Sequence, residues 1–158
     1  MGRETECVLC DPMRAERELM RSTVWEDEIW RLSTTLFGAV PGFSYLEPKR
    51  HVPHITDLAG AEAVTFGPTI ARVTTALKDA TGSDLVYVYV FGGGVPHLHV
   101  HLAPHREGDA LNSALLRGEL VEEKQPNGTT IVRSADFPPR PAAELLAAAD
   151  EIRIRLRA

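Results

Sequence analysis

The sequence predicts an α+β fold, and three observations lead there. Short β-rich runs bounded by turn signals fill the first hundred residues, one long amphipathic helix divides them, and a second helix candidate closes the chain. The apolar run at residues 85–91 and the alternating run at 97–102 flank Gly92-Gly93-Gly94, so they read as neighbouring antiparallel strands.

Taken in order, residues 11–23 read as a polar loop or short helix. Residues 24–28 and 29–32 then form two short strands that turn at 26–28, an opening hairpin. Pro41-Gly42 marks a turn, and Phe43-Ser44-Tyr45-Leu46 alternates as a strand does until Pro48 stops it. From Leu58 to Lys78 the apolar positions Ala61, Val64, Ile70, Val73 and Leu77 recur at helical spacing, and Gly67-Pro68 is expected to kink this helix or split off its first turn. Thr81-Gly82-Ser83 ends it, and the run at 85–91 has the composition of a central strand. Residues 119–123 and 129–133 flank Asn127-Gly128, a hairpin turn signal, and Pro138, Pro139 and Pro141 introduce a final helix at 142–156.

A chain of 158 residues, 44% of them hydrophobic, suits a single domain around one core. A net charge of -5 excludes the basic stripe of a general nucleic-acid binder, so no nucleic-acid partner is expected and any phosphate must be held by local positive charge. Residues 1–10 carry Arg3, Glu4 and Glu6 without the apolar stretch of a signal peptide or membrane span, which predicts a cytoplasmic protein without a membrane partner. Cys7-Val8-Leu9-Cys10 has the spacing of metal ligands or a redox pair, and two free thiols are the alternative.

The chemistry concentrates in His97-Leu98-His99-Val100-His101-Leu102. On a strand, alternate side chains share a face, so the three imidazoles line one side about 7 Å apart while Leu98, Val100 and Leu102 enter the core. Three rings so placed need partners if buried and repel one another if protonated. They suit either metal binding through neutral nitrogens or the gripping of an anion with one ring free to attack it; a solvated polar face is the bland alternative.

With the triad run, the ordered landmarks Cys7-x-x-Cys10, Val24-Trp25-Glu26-Asp27-Glu28, Pro48-Lys49-Arg50-His51 with Asp57-Leu58, and Ala103-Pro104 resemble the histidine-triad (HIT) superfamily of nucleotide hydrolases and transferases over residues 7–105. The resemblance implies a HIT-like fold with a five-stranded antiparallel sheet, a main helix and a C-terminal helix, usually as a homodimer, acting on a small phosphate-containing substrate of nucleotide type. Residues 106–158 form a C-terminal extension beyond it. It further implies that His99 attacks the α-phosphorus of a phosphoanhydride, phosphoramidate or phosphoester to give a transient phosphohistidine, and that His101 holds the phosphate oxygens. Cys7, Cys10, His51 and His97 are implied to bind a structural zinc ion, with His54 the substitute should His51 fail; His54 and His105 otherwise read as solvated.

The chain departs from the family's pattern in three places. Upstream of the triad, Gly92-Gly93-Gly94-Val95-Pro96 replaces a stretch whose polar side chains touch the leaving group, leaving the backbone amides of Gly93 and Gly94 as the substrate-binding groups. Thr35 falls where an aspartate usually contacts the ribose, and Arg106 stands one place later than the common arginine. These departures motivate a second reading, a nucleotide-binding module with weak turnover; a third is a metallohydrolase whose triad holds a catalytic metal. Trp25, Trp30, Phe37 and Phe43 fit either a base pocket or the core.

Overall fold

The structure, a computed structural model, describes residues 7–91, 95–107, 118–124, 130–136 and 138–157. Gly93, Gly94 and the Asn127-Gly128 turn therefore lie outside the described residues.

The segment expected as loop or short helix contains the helix α1 (Pro12–Glu18), with Pro12 in its first turn and Asp11 accepting from the Arg14 amide at 3.1 Å. The opening hairpin follows as β1 (Arg21–Glu26) and β2 (Trp30–Thr35), closed by Asp27 Oδ1, which accepts from the amides of Ile29 and Trp30. β1 starts three residues earlier than expected, because Arg21-Ser22-Thr23 is a polar strand segment rather than loop. β3 (Ser44–Pro48) follows the Pro41-Gly42 turn. There Gly42 has φ 78° and a Cβ would fall 2.6 Å from Thr81 Cγ2, so only glycine fits.

The long helix α2 (Gly60–Thr81) is one continuous element, contrary to the kink or split expected at Gly67-Pro68. Gly67 has no Cβ for the proline ring to strike, and Pro68 lies on the exposed side, where water can serve the carbonyl it leaves unpaired. Gly82 caps the helix in the left-handed conformation. β4 (Leu85–Tyr89) and β5 (Val100–His105) pair antiparallel, as expected.

The five strands form one antiparallel sheet in the order β1-β2-β3-β5-β4. The apolar run expected as a central strand is thus an edge, with Val88 45% exposed, because β5 inserts between it and β3. β6 (Gly118–Lys124) and β7 (Thr130–Asp136) pair in a separate two-stranded ladder, and α3 (Ala142–Arg157) ends the chain. None of the helices among the described residues is long and apolar enough to cross a membrane.

Register divides the sheet into two faces. Leu32, Leu46 and Val100 lie in one row, with Leu102 beside them, and are sealed beneath Val73 and Leu77 of α2 and Ala149, Ile152 and Leu156 of α3. On the opposite face the pairs Thr23↔Ser33, Ser33↔Tyr45, Tyr45↔His101 and His101↔Tyr89 run a polar and aromatic row across all five strands. That second face carries the site.

Candidate active site and metal centre

The triad alternates as expected, but only His101 belongs to the β5 ladder, which begins at Val100. Residues 97–99 run past the end of β3, where the Leu98 amide bonds the Val52 carbonyl at 2.6 Å and Leu98 stays in the core. This lets His97 turn away from its companions. Its Nδ1 lies 3.5 Å from both Cys7 Sγ and Cys10 Sγ, and Cys10 Sγ is 3.3 Å from His51 Nδ1. The ligand atoms of Cys7, Cys10, His51 and His97 all fall within 4.8 Å of one another.

The set fits a tetrahedral zinc ion. With Zn–S of about 2.3 Å and Zn–N of about 2.0 Å, tetrahedral angles set S···N at roughly 3.5 Å, the separation seen here. The tautomer fits as well: Pro48 O only accepts, so His97 Nε2–H is the donor in their 2.9 Å bond, and Nδ1 keeps its lone pair for the sulfur side. Burial pushes the His97 pKa down to about 4 against the opposing effect of that hydrogen bond, so the ring is neutral, as a ligand must be. Cys7 and Cys10 are not joined in a disulfide and are brought together by a single 3-10 turn at Val8–Cys10. His54, exposed at the start of the Ile55–Asp57 turn, is not among the four, and His105 lies against the Tyr87 ring instead.

His99 has the opposite arrangement. Its Nδ1–H donates to the His97 carbonyl at 2.7 Å, which leaves the Nε2 lone pair free of the backbone. His99 and His101 sit 5.1 Å apart, centroid to centroid, and His101 stacks on Tyr89 at 4.9 Å with Tyr45 edge-on at 5.2 Å. Both histidines border an open cleft of ≈ 240 Å³ walled by Leu9, Leu19, Val95 and Tyr45. Small in itself, the cleft has room for a phosphate-sized group and part of a larger one.

Two charged residues of the same face were not legible as site residues. Arg21, which also borders the cleft, is 4% exposed and donates from Nη1 to Glu47 Oε1 at 2.5 Å and to Ser33 Oγ at 3.2 Å. Burial pushes the Glu47 carboxyl above its ordinary value while Arg21 pulls it the other way. The signal was present as a glutamate inside the apolar strand 43–48, but its partner lies 26 residues upstream.

Thr35 turns its hydroxyl into its own loop, donating to Phe37 O at 2.6 Å and accepting from the Phe37 amide. Of the four aromatics, Trp30 is fully buried and Trp25 packs against the same core; Phe43 is buried beside Tyr45 and His101, and Phe37 is exposed.

A family model described as the HIT domain matches residues 16–108. Among known proteins the chain is 25% identical over 129 residues to the adenylylsulfatase HINT3 of Arabidopsis thaliana, covering 77% of this chain and 64% of that protein. It is 31% identical over 116 residues to an uncharacterised HIT-like protein of Mycobacterium tuberculosis, covering 68% of this chain and 77% of the relative. Among solved structures, a zinc-bound histidine triad family protein from Mycobacterium smegmatis superposes with a TM-score of 0.65 over 98% of this chain and 95% of that one, at 19% identity, which speaks for the fold. With its five-stranded antiparallel sheet and its three alternating histidines, the chain belongs to the HIT family.

Proposed function

We propose that this protein is a nucleotide-directed hydrolase or transferase that cleaves at a phosphorus atom through a covalent phosphohistidine on His99. The observation that carries this reading is the 2.7 Å bond from His99 Nδ1–H to the His97 carbonyl, which fixes the tautomer with a nucleophilic Nε2 beside the cleft. The Nε2 lone pair forms the N–P bond while the leaving group departs with the electron pair of its own bond to phosphorus. Water or another acceptor then adds to phosphorus, the N–P bond breaks, and the neutral ring is restored. His101, anchored between Tyr45 and Tyr89, holds the phosphate oxygens as their charge develops.

Cys7, Cys10, His51 and His97 would hold a zinc ion, supplying four protein ligands to it. Closed in this way, the metal supplies structure, and the triad contributes only His97 to it, which argues against a metal-activated water as the nucleophile. The adenylylsulfatase activity named for the Arabidopsis relative supports an enzyme acting on nucleotide-type small molecules.

The decisive experiment is to mix wild-type protein with adenosine 5′-phosphoramidate, quench within a turnover in base, and read the intact mass. A base-stable, acid-labile adduct of one nucleoside monophosphate, mapped to His99, is expected; active enzyme with no adduct at any quench time and full activity after loss of His99 would sink the mechanism. A panel extended to a dinucleoside polyphosphate and a nucleotide sugar then names the leaving group.

The same reading includes a homodimer. β4 offers an edge whose Val88 and the following Phe91 are 45% and 71% exposed, a surface that a second copy would cover by extending the sheet. Val88→Lys is expected to shift the protein from dimer to monomer in sedimentation, and a wild type that sediments as a monomer refutes the dimer.

A further inference from the structure

The rings gathered around His101 are unequal in their exposure. Tyr45 and Phe43 approach it from the β3 side, at 5.2 and 6.1 Å between centroids, and Tyr89 stacks on it from β4 at 4.9 Å. Phe91, two residues beyond Tyr89, stands 6.0 Å from the same ring and 5.0 Å from Tyr89. Phe43 is buried and both tyrosines are partly so, whereas Phe91 is 71% exposed. The first three seat His101; Phe91 carries the same aromatic cluster out into water, with most of its surface open to a ligand.

Its place relative to the cleft says what it can serve. Register sets Tyr45, His101 and Tyr89 side by side across β3, β5 and β4. The cleft of ≈ 240 Å³ opens on the Tyr45 flank, bounded there by Leu9, Leu19 and Arg21, and among the described residues β4 lends it no wall. Phe91 is therefore on the other flank of His101. A phosphorus atom attacked by His99 Nε2 has its attacking and leaving atoms roughly in line, so the leaving group and the retained group diverge. A cleft with room for a phosphate and part of one larger group leaves the other to the far flank.

We infer that Phe91 determines specificity for the leaving group: its open ring stacks on a flat aromatic group that departs on the β4 flank while the nucleoside stays in the cleft. The inference rests on the nucleotide reading above. The chemical step is unchanged. The bond from His99 Nε2 to phosphorus forms, the bond to the leaving atom breaks with its electron pair kept on that atom, which takes a proton from water, and Phe91 exchanges no atoms. A second copy that extends the sheet at β4 covers this edge in the sheet's own plane, and the contacts of Phe91 with Tyr89 and His101 stay on the site face.

The test compares adenosine 5′-phosphoramidate with its N-benzyl derivative in wild type, Phe91→Ala and Phe91→Tyr. The two compounds share the nucleoside and differ by one ring on the leaving nitrogen, and the corresponding uridine pair repeats the comparison with the nucleoside changed. Phe91 is exposed and lies past the last paired residue of β4, so both variants are expected to fold.

Wild type is expected to favour the benzyl compound. Phe91→Ala should lower kcat/KM for it roughly tenfold while the compact compound changes less than about twofold, and Phe91→Tyr should keep the preference, with either nucleoside. Equal losses on both compounds, no loss in Phe91→Ala, or a loss that follows the nucleoside instead of the benzyl group overturns the inference. Should wild type cleave neither compound, both are intact ligands and calorimetry reads the same comparison as Kd: a benzyl preference that Phe91→Ala abolishes upholds the role of Phe91 while the hydrolase reading fails, and its absence overturns that role.

Discussion

His99→Ala is expected to lower kcat/KM by roughly 10³-fold or more on any substrate the wild type turns over, because no neighbouring group replaces a nucleophile that must bond to phosphorus. His101 lies on the adjacent position of the same face, but its ring is stacked on Tyr89 and edged by Tyr45, which holds it in place rather than free to advance. The variant should keep its metal and its melting temperature within about 2 °C, since His99 is only partly buried and its one described hydrogen bond is to a backbone carbonyl. Steady-state kinetics with calorimetric Tm and metal analysis on the same preparation separate loss of chemistry from loss of fold. A fall of less than tenfold would place the covalent step elsewhere.

Removing the metal should have the largest effect on stability. The four ligand atoms come from three separate parts of the chain: the 3-10 turn before α1, the loop after β3, and the entry to β5. A zinc ion there would tie them together with bonds, while the first segment's own apolar cluster is small, Cys7, Leu9 and Ala15 with Val8, Cys10 and Val95 packed against them. Without metal, the two thiols and His97 would be left clustered with no cation to pair with. Zinc content near one per chain is expected, with Cys10→Ser or exhaustive chelation costing about 3 kcal/mol or more, roughly 10 °C in Tm. Protein that carries no metal and melts unchanged in chelator would refute the site.

Signals in the sequence match the structure where the physics is local. Period-two alternation located the histidines, and turn residues at Pro41-Gly42 and Gly82 bounded β3 and α2, because each depends on a few neighbouring residues. The position of β4 did not follow the same way. An apolar run looks identical whether both its edges are paired or one is bare, and only the insertion of β5 beside β3 decides it. Pro68 misled for a related reason, since its cost depends on which side of the helix faces water.

The site divides along the same line. Cys7, Cys10, His51 and His97 came from matching spaced landmarks, and the structure gathers those four, choosing His51 over His54. Arg21 was hidden because Arg21-Ser22-Thr23 is polar and reads as loop, and Glu47 because an acid in a strand has no meaning until register sets a cation across from it. Gly93 and Gly94, assigned to the substrate, lie outside the described residues.

His97 ends up joined to both halves of the site by a single residue. Its ring spans the cysteines and the Pro48 carbonyl, while its own carbonyl accepts the hydrogen bond from His99 Nδ1–H. Whatever swings that ring therefore tilts the peptide that selects the reactive nitrogen two residues on. The Cys7-Cys10-His51-His97 corner and the tautomer of His99, though they share no side-chain atoms, are thus coupled through one residue.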